Sequence, residues 1–134
     1  MQVHGSCHCG QISFEAQVEP DRTSICHCTD CQKLSGSAFR VTVLANPGSF
    51  RLLSGQPSTY VKRADSGARR AQVFCPNCGS SLYVYDADNP TLYGLRTGCL
   101  DERAALVPRR QIWCRSAMTW TDDLSEIEKF QTTS

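Results

Sequence analysis

The sequence predicts a small, mainly β fold with a zinc-ribbon-like knuckle and one or two short helices. Three observations support this class. Residues 11–18 alternate apolar and polar side chains, as a strand with one buried face does. Further strand-like runs follow at short intervals, with glycine or proline between them. Residues 75–79 read CPNCG between two such runs, a pattern typical of a metal-binding turn in a hairpin.

The strands can be placed in order from their apolar periodicity and from the turn residues that bound them. The first covers residues 11–18, and the Glu-Pro-Asp sequence at residues 19–21 should end it as a turn. A short strand at residues 23–26 should follow. The later strands are expected at residues 38–44, 49–53, 59–63, 69–74, 81–85, 91–96 and 110–115, with a loop at 97–102.

Two short helices are expected. One should run through residues 31–34, with Thr29 or Asp30 as its N-cap and Gly36 at its end. The other is expected near the C-terminus, where the apolar residues 124, 127 and 130 have helical spacing and acidic residues precede them.

Composition favours one domain over residues 1–134, with a single modest core. The net charge of +1, from 14 basic and 13 acidic residues, gives no electrostatic reason to expect nucleic acid or a membrane surface as partner. No apolar run approaches the ~20 residues that span a bilayer, and the start does not resemble a signal peptide. We therefore expect a cytoplasmic protein, in which nine reduced cysteines indicate metal binding rather than disulfides.

The densest motif is CHCTDC at residues 26–31, which brings Cys26, Cys28 and Cys31 together. Three neighbouring thiolates repel one another unless a cation holds them, and zinc suits sulfur ligands. Structural zinc takes four protein ligands, whereas catalytic zinc takes three and keeps an open position. Both interpretations stay open: a distant residue closes the site and the metal only holds the fold, or the fourth position serves chemistry.

The knuckle supplies Cys75 and Cys78, which need two more ligands to complete a zinc site. We favour Cys7 and Cys9 as these ligands, giving a closed structural zinc. The alternative joins Cys75 and Cys78 to the central three cysteines, which overfills one site and leaves Cys7 and Cys9 without a role. In a small domain, metal binding at such a site can supply much of the folding free energy.

Other notable residues have simpler expectations. His8 and His27 lie between ligand cysteines, and in an extended segment their side chains should point away from the metal. Cys114 should belong to the core. Cys99 is either a small buried residue or a neighbour of the open zinc, and Trp120 either lines the pocket or covers the core.

With these motifs identified, the chain resembles the glutathione-dependent formaldehyde-activating enzyme family, which includes the centromere-protein-V-like proteins. The resemblance covers nearly the whole chain in family order. It rests on GSCHCG at residues 5–10, CHCTDCQK at 26–33, GSAF at 36–39, FCPNCGS at 74–80, GCLD at 98–101, and the segment from 112 to 120.

The resemblance implies a β-tent fold with two zinc sites per chain, one closed by four cysteines and one held by three. It implies Cys26, Cys28 and Cys31 as the ligands of the active-site zinc. The activity it implies is the condensation of formaldehyde with glutathione to S-hydroxymethylglutathione, which is classed as a carbon–sulfur lyase reaction in reverse.

A mechanism follows as a hypothesis. A thiol such as glutathione at the open zinc position would lose its proton and attack formaldehyde or another small aldehyde, with zinc or Ser37 stabilising the oxyanion. The alternatives are a zinc-stapled module that binds or senses thiols or metals without catalysis, and a domain with two inert zincs. The candidates for holding the carboxylates of glutathione are Arg40, Lys62, Arg63, Arg69, Arg70 and Arg96.

Overall fold

A computed structural model describes residues 1–133 and confirms the mainly β class. Within this range the chain forms nine strands, one α-helix, α1 (Thr29–Ser35), and four 3₁₀ helices, Thr97–Cys99, Arg103–Ala105, Cys114–Ser116 and Thr119–Asp122. The strands are β1 (Gln2–Ser6), β2 (Ser13–Cys26), β3 (Arg40–Ala45), β4 (Arg51–Ser54), β5 (Ser58–Arg63), β6 (Arg69–Phe74), β7 (Ser81–Asp86), β8 (Gly94–Arg96) and β9 (Arg110–Ile112).

Strand β2 connects the whole sheet. The main strand order is β1-β2-β3-β8-β7-β6-β5, and β4 and β9 also pair with β2. Strands β1 and β4 pair with the first part of β2, whereas β9 pairs with its last three residues, in parallel, with Cys26 opposite Ile112. The other pairings are antiparallel.

The predicted turn at residues 19–21 is wrong, because β2 continues through Pro20. The register against β3 shifts between Val18 and Thr23, and Thr23 Oγ1 donates a hydrogen bond to the Pro20 carbonyl at 2.7 Å. Proline is tolerated where a strand is irregular, since no ladder hydrogen bond is needed from its nitrogen there. The irregularity lets one long strand carry the chain from the β1 side of the sheet to Cys26.

The core lies between β2 and the β7–β8 region. Phe14, Ile12, Leu82 and Leu95 are fully buried, together with Leu100 after β8. Aromatic rings extend this core, with Phe50 stacked on Tyr93 at 4.4 Å and Tyr83 edge-on to Phe14 at 5.4 Å.

Two further differences from the expected elements have physical reasons. Strand β1 has no visible apolar alternation in the sequence, because its only buried residues are Val3 and Gly5. Position 5 holds a glycine because the Phe14 ring occupies the space that a Cβ would need. The expected C-terminal helix is wrong: residues 123–133 contain no helix, and Leu124, Ile127 and Phe130 are at least half exposed. Strand β8 starts later and β9 ends earlier than expected.

The described residues also include no helix with the length and apolar character needed to cross a bilayer.

Candidate metal centres and the adjoining cavity

Cys7, Cys9, Cys75 and Cys78 converge, with all four sulfur atoms within 4.8 Å of one another. Cys7 Sγ lies 3.5 Å from Cys9 Sγ, and Cys9 Sγ lies 3.8 Å from Cys75 Sγ. Four sulfurs around zinc at about 2.3 Å would be separated by about 3.8 Å, whereas a disulfide needs about 2.05 Å. The spacing therefore fits a four-coordinate metal.

Backbone and hydroxyl groups surround these sulfurs. The N–H of Ile12 points at Cys7 Sγ at 3.3 Å, and the N–H of Cys78 at Cys75 Sγ at 3.5 Å. The Ser80 hydroxyl, followed by the backbone N–H groups of Ser80 and Cys9, lowers the pKa of Cys78 to about 5. Donors of this kind stabilise thiolates and fix their orientation, as groups around a metal site do.

Cys26, Cys28 and Cys31 form the second group, also within 4.8 Å of one another, and all three are half-buried. No fourth Cys, His, Asp or Glu within residues 1–133 joins them. The strand end of β2 supplies Cys26, and the first turn of α1 supplies Cys31.

Cys28 begins helix α1. It is the N-cap, and its sulfur accepts from the backbone N–H of Cys31 at 3.3 Å. The expectation of Thr29 or Asp30 as cap is wrong, whereas Gly36 ends the helix as expected, in the left-handed conformation. The close cysteine spacing thus fixes the helix start and brings the sulfurs of Cys28 and Cys31 together.

Burial dominates the acidity of these thiols. Burial and the neighbouring sulfurs raise the pKa of Cys31 to about 12, and burial also raises the pKa of Cys26. Burial acts the same way on Cys28, but hydrogen bonds from the Cys31 N–H and from the side chains of Cys31 and Cys26 leave its pKa below the ordinary value. A metal ion would displace the remaining protons.

The three cysteines line a cavity of about 600 Å³. The rest of its wall comes mainly from β3, β6, β7, β8 and β9 and from the loops that follow β5 and β7. Its charged residues are Lys62, Arg70, Arg96, Arg110 and Asp86. A larger cavity of about 870 Å³ lies beside Cys7 and Ser80 but does not contain this cluster. The smaller cavity is the one that contains the three-cysteine group, which has no fourth Cys, His, Asp or Glu among the described residues.

The structure divides the candidate cations. Lys62 and Arg70 are register partners on β5 and β6, and both line the cavity of the three cysteines. Lys62 also pairs with Asp30 of α1 at 2.8 Å. Arg63 and Arg69 are opposite each other on the same two strands, and neither lines this cavity.

Arg40 and Arg96 share one acceptor next to the cluster. Arg40 Nη1 and Arg96 Nη2 donate to Gln72 Oε1 at 3.0 and 2.7 Å, and Arg96 Nη1 donates to Thr42 Oγ1 at 2.8 Å. Burial, then repulsion by Arg40, lowers the pKa of Arg96 to about 9, so it stays charged at neutral pH. Sequence reasoning named both arginines but not Gln72, because the contact joins three separate strands.

The other expected residues lie outside the cluster. His27 is buried with Nε2 2.7 Å from Gln111 Oε1, and His8 is exposed, so neither belongs to a cysteine group. Cys99 Sγ donates to the Arg96 carbonyl at 3.1 Å, and burial raises its pKa to about 12. Cys114 is exposed rather than in the core, because β9 ends at Ile112.

Ser37 and Trp120 also lie away from the three cysteines. Ser37 lines the larger cavity and not the cavity of the three cysteines, so its position does not support the expected role as oxyanion donor. Trp120 is 55% exposed and lies beside the end of α1, so it neither covers the core nor lines the cavity of the cluster.

Trp113 was missed as a cavity residue. It lines the cavity with Cys26 and Ile112, and the Arg115 guanidinium lies 4.9 Å from its ring centroid. Among residues 1–133 it is the only non-glycine residue with positive φ, at 58°. Such strain in a bulky residue commonly marks a functional position, but the sequence carries no signal for it.

The fold and the two cysteine groups define a small, mainly β protein equipped to hold metal ions. The sequence model of the glutathione-dependent formaldehyde-activating enzyme family matches residues 2–116. The chain therefore belongs to this family.

Individual relatives agree with this assignment. A Halomonas elongata protein that carries the family's name is 26% identical over 114 residues, covering 82% of this chain and 73% of that protein. An uncharacterized lyase of Schizosaccharomyces pombe is 28% identical over 82 residues, which is 61% of this chain and 56% of the yeast protein. The chain thus spans only a little over half of the yeast relative.

The fold has a solved counterpart. The crystal structure of a Rhodobacter sphaeroides protein, a structural-genomics target, matches with a TM-score of 0.62 at 20% identity. The match covers 81% of this chain and 98% of that chain. At this identity it shows the shared fold alone.

Proposed function

We propose that the protein is a zinc-dependent enzyme of the carbon–sulfur lyase type, acting on the adduct of glutathione, or another thiol, with formaldehyde or a small aldehyde. One observation carries this proposal: Cys26, Cys28 and Cys31 converge at the wall of a cavity without a fourth protein ligand in the described chain. We also propose that residues 1–134 act as one domain with two zinc ions.

The two sites would have different roles. Zinc on Cys7, Cys9, Cys75 and Cys78 would join the start of the chain to the β6–β7 hairpin and stabilise the fold. At the second site, zinc on three cysteines would lower the pKa of a thiol in its open position.

The cavity supports a small thiol ligand. Its volume of about 600 Å³ is within the usual range for small-molecule sites, roughly 300–1,000 Å³. Lys62, Arg70 and Arg110 at its wall would hold the carboxylates of glutathione, while Ile112 and Trp113 would cover the reacting sulfur. These chain residues would orient the ligand and limit the access of water.

A second candidate function has support from one feature. Cys26, Cys28 and Cys31 are only half-buried, and all three line the cavity. A thiol or oxidant can therefore reach them, and reversible release of metal would make the cluster a sensor rather than a catalyst.

Thiolate-dependent binding tests the proposal. Calorimetric titration of zinc-loaded protein should show that glutathione binds and that S-methylglutathione, which cannot form a thiolate, binds at least about tenfold more weakly. Affinity for glutathione should fall as pH drops, because protons compete with the metal for every thiolate. Cys28→Ala should remove the difference between the two ligands, since one of the three sulfurs is lost.

Rate measurements separate the enzyme from the sensor. Carbon NMR of labelled formaldehyde with glutathione should show faster exchange with the adduct when the parent protein is present than with Cys28→Ala. Equal binding of the two ligands to the parent would exclude the zinc–thiolate mechanism. Thiolate-dependent binding without faster exchange would leave the sensor function.

A further inference from the structure

Two arginines beside the three-cysteine cluster, Arg40 and Arg96, have no acidic partner among residues 1–133. None of the five ion pairs in the described chain includes Arg40 or Arg96. Arg40 is only 5% exposed, it lies opposite Cys26 across the β2–β3 pair, and its Nε and Nη2 atoms have no hydrogen-bond partner within residues 1–133. The protein thus places a cation in its interior at this point.

Such an arrangement needs a nearby anion. Two guanidinium groups that share a neutral amide repel each other, and an uncompensated buried charge is strongly destabilising. Burial disfavours the charged form of Arg40, and the negative charges that act in its favour are those of Cys31, Cys28 and Cys26. Cys26 lies opposite Arg40, and Arg96 lines the same cavity as the three cysteines, so thiolates held there by a metal would be the counter-ions of the arginine pair.

A bound metal would change the net charge of the three-cysteine cluster. Three thiolates and a divalent metal together carry one net negative charge, and a fourth thiolate adds further negative charge that cations nearby must balance. The guanidiniums of Arg40 and Arg96 turn this total into one net positive charge. One more thiolate makes the whole group neutral, so the surroundings favour an anionic fourth ligand.

We propose that Arg40 and Arg96, bridged by Gln72, are positioning residues that supply the counter-charge by which the three-cysteine site accepts a thiolate. This inference rests on the proposed function. Arg40 does not line the cavity of the cluster, so it acts through the charge of the sulfurs rather than by touching the thiol ligand. Arg96 reaches the cavity wall and is held by Thr42 and Gln72.

Cobalt-loaded protein tests the proposal without relying on activity. The parent is titrated with 2-mercaptoethanol, whose lack of a carboxylate avoids the cations of the cavity wall, and the cobalt–sulfur absorption is followed. Arg40→Met should weaken thiolate binding by about tenfold or more, because a buried positive charge opposite Cys26 is lost. Arg40→Lys should recover most of the affinity, since it keeps the charge.

Arg69→Met is the matched control. It removes one positive charge, as Arg40→Met does, but from β6. Because Arg69 is exposed and lies outside the cavity, thiolate binding should stay within about twofold of the parent. The cobalt spectrum of the four-cysteine site reports whether each variant is folded. Arg96→Met provides a second removal of charge and should show the same loss as Arg40→Met.

The outcomes separate the two proposals. If the parent binds thiol and both Met variants at Arg40 and Arg96 bind it equally well, the counter-charge role is wrong while the proposed function stands. If Arg69→Met loses as much as Arg40→Met, the role assigned to the buried pair is also wrong. A parent that binds no thiol at the cobalt site overturns the proposed function and this inference together.

Discussion

At the scale of single residues, Cys28 shows how one side chain serves both fold and site. Its sulfur caps α1 and lies within 4.8 Å of the other two sulfurs of the cluster. Sequence reasoning assigned the cap to Thr29 or Asp30, since oxygen side chains are the preferred caps. Where cysteines are spaced this closely, a cysteine sulfur takes the place of the usual oxygen cap and accepts the hydrogen bond from the backbone N–H.

His4 and Glu102 give a residue-scale prediction about pH. The Glu102 side chain raises the pKa of His4, and hydrogen bonds from His4 outweigh burial to lower the pKa of Glu102. Because its pKa is raised in the folded state, protonated His4 stabilises the fold. This stabilisation is complete below the unfolded pKa of 6.5 and is lost as pH rises through the folded value. The glutamate contribution is complete above 4.5 and is lost on acidification through its lowered value.

The pair should therefore stabilise the fold most between pH 4.5 and 6.5. We expect Glu102→Gln to lower the melting temperature more inside this window than at mildly alkaline pH, because Gln keeps an acceptor but not the charge. Glu126→Gln, an exposed charge in the C-terminal segment, serves as control. A loss for Glu102→Gln that does not depend on pH would contradict the prediction.

At the scale of elements, periodicity identified most strands but not where β2 continues or where β1 lies. Alternation at residues 11–18 was visible, yet the continuation through Pro20 depends on pairing with β3, which no local pattern encodes. The C-terminal helix failed for the opposite reason. Its apolar spacing was present, but residues 124–130 bury no face against the rest of the fold, and short isolated helices are marginal.

The turn after β4 provides an element-scale prediction. Gly55 has φ +83°, and a Cβ there would lie 2.4 Å from the Gln11 carbonyl oxygen, beside the start of β2. Gly67 has φ +90° with no atom within 4 Å of its Cβ position. Gly67→Ala should cost roughly 1–2 kcal/mol through backbone strain, and Gly55→Ala at least about 3 kcal/mol because strain and a backbone clash add.

Urea unfolding of zinc-saturated protein measures both changes in the free energy of unfolding. The two variants carry the same substitution and differ mainly in the space around the new methyl group. Equal losses of unfolding free energy in the two variants would contradict this prediction, because the turn after β4 would then move away from β2 without cost.

At the scale of the whole molecule, the sequence predicted the parts of the candidate site that depend on local spacing and on counting ligands. The grouping of Cys7 and Cys9 with Cys75 and Cys78 matches the structure because knuckles and ligand number constrain it. The arginine pair and the position of Trp113 could not be predicted, since they depend on how β3, β6, β8 and β9 pack around the cavity.

A whole-molecule prediction compares the two cysteine groups. Cys75→Ser should leave the protein largely unfolded, because structural zinc contributes roughly 10 kcal/mol or more in small zinc domains. Cys26→Ser should lose one zinc per chain and remain folded, since the four-cysteine group is intact. Metal analysis and circular dichroism of both variants provide the test, with mild chelation of the parent expected to remove only the zinc of the three-cysteine group.

Either of two results would contradict this division of roles. One is a Cys75→Ser protein that melts at the same temperature as the parent. The other is a Cys26→Ser protein that keeps the full zinc content of the parent.

The separation of the two groups along the chain affects how each metal acts on the denatured ensemble. Cys26, Cys28 and Cys31 stay close together even in a disordered chain, so unfolded protein still chelates there. Cys9 and Cys75 are 66 positions apart, and only the native topology joins them. Free zinc should therefore shift the folding equilibrium mainly through the distant group, while the local group takes up metal during synthesis before the rest of the sheet exists.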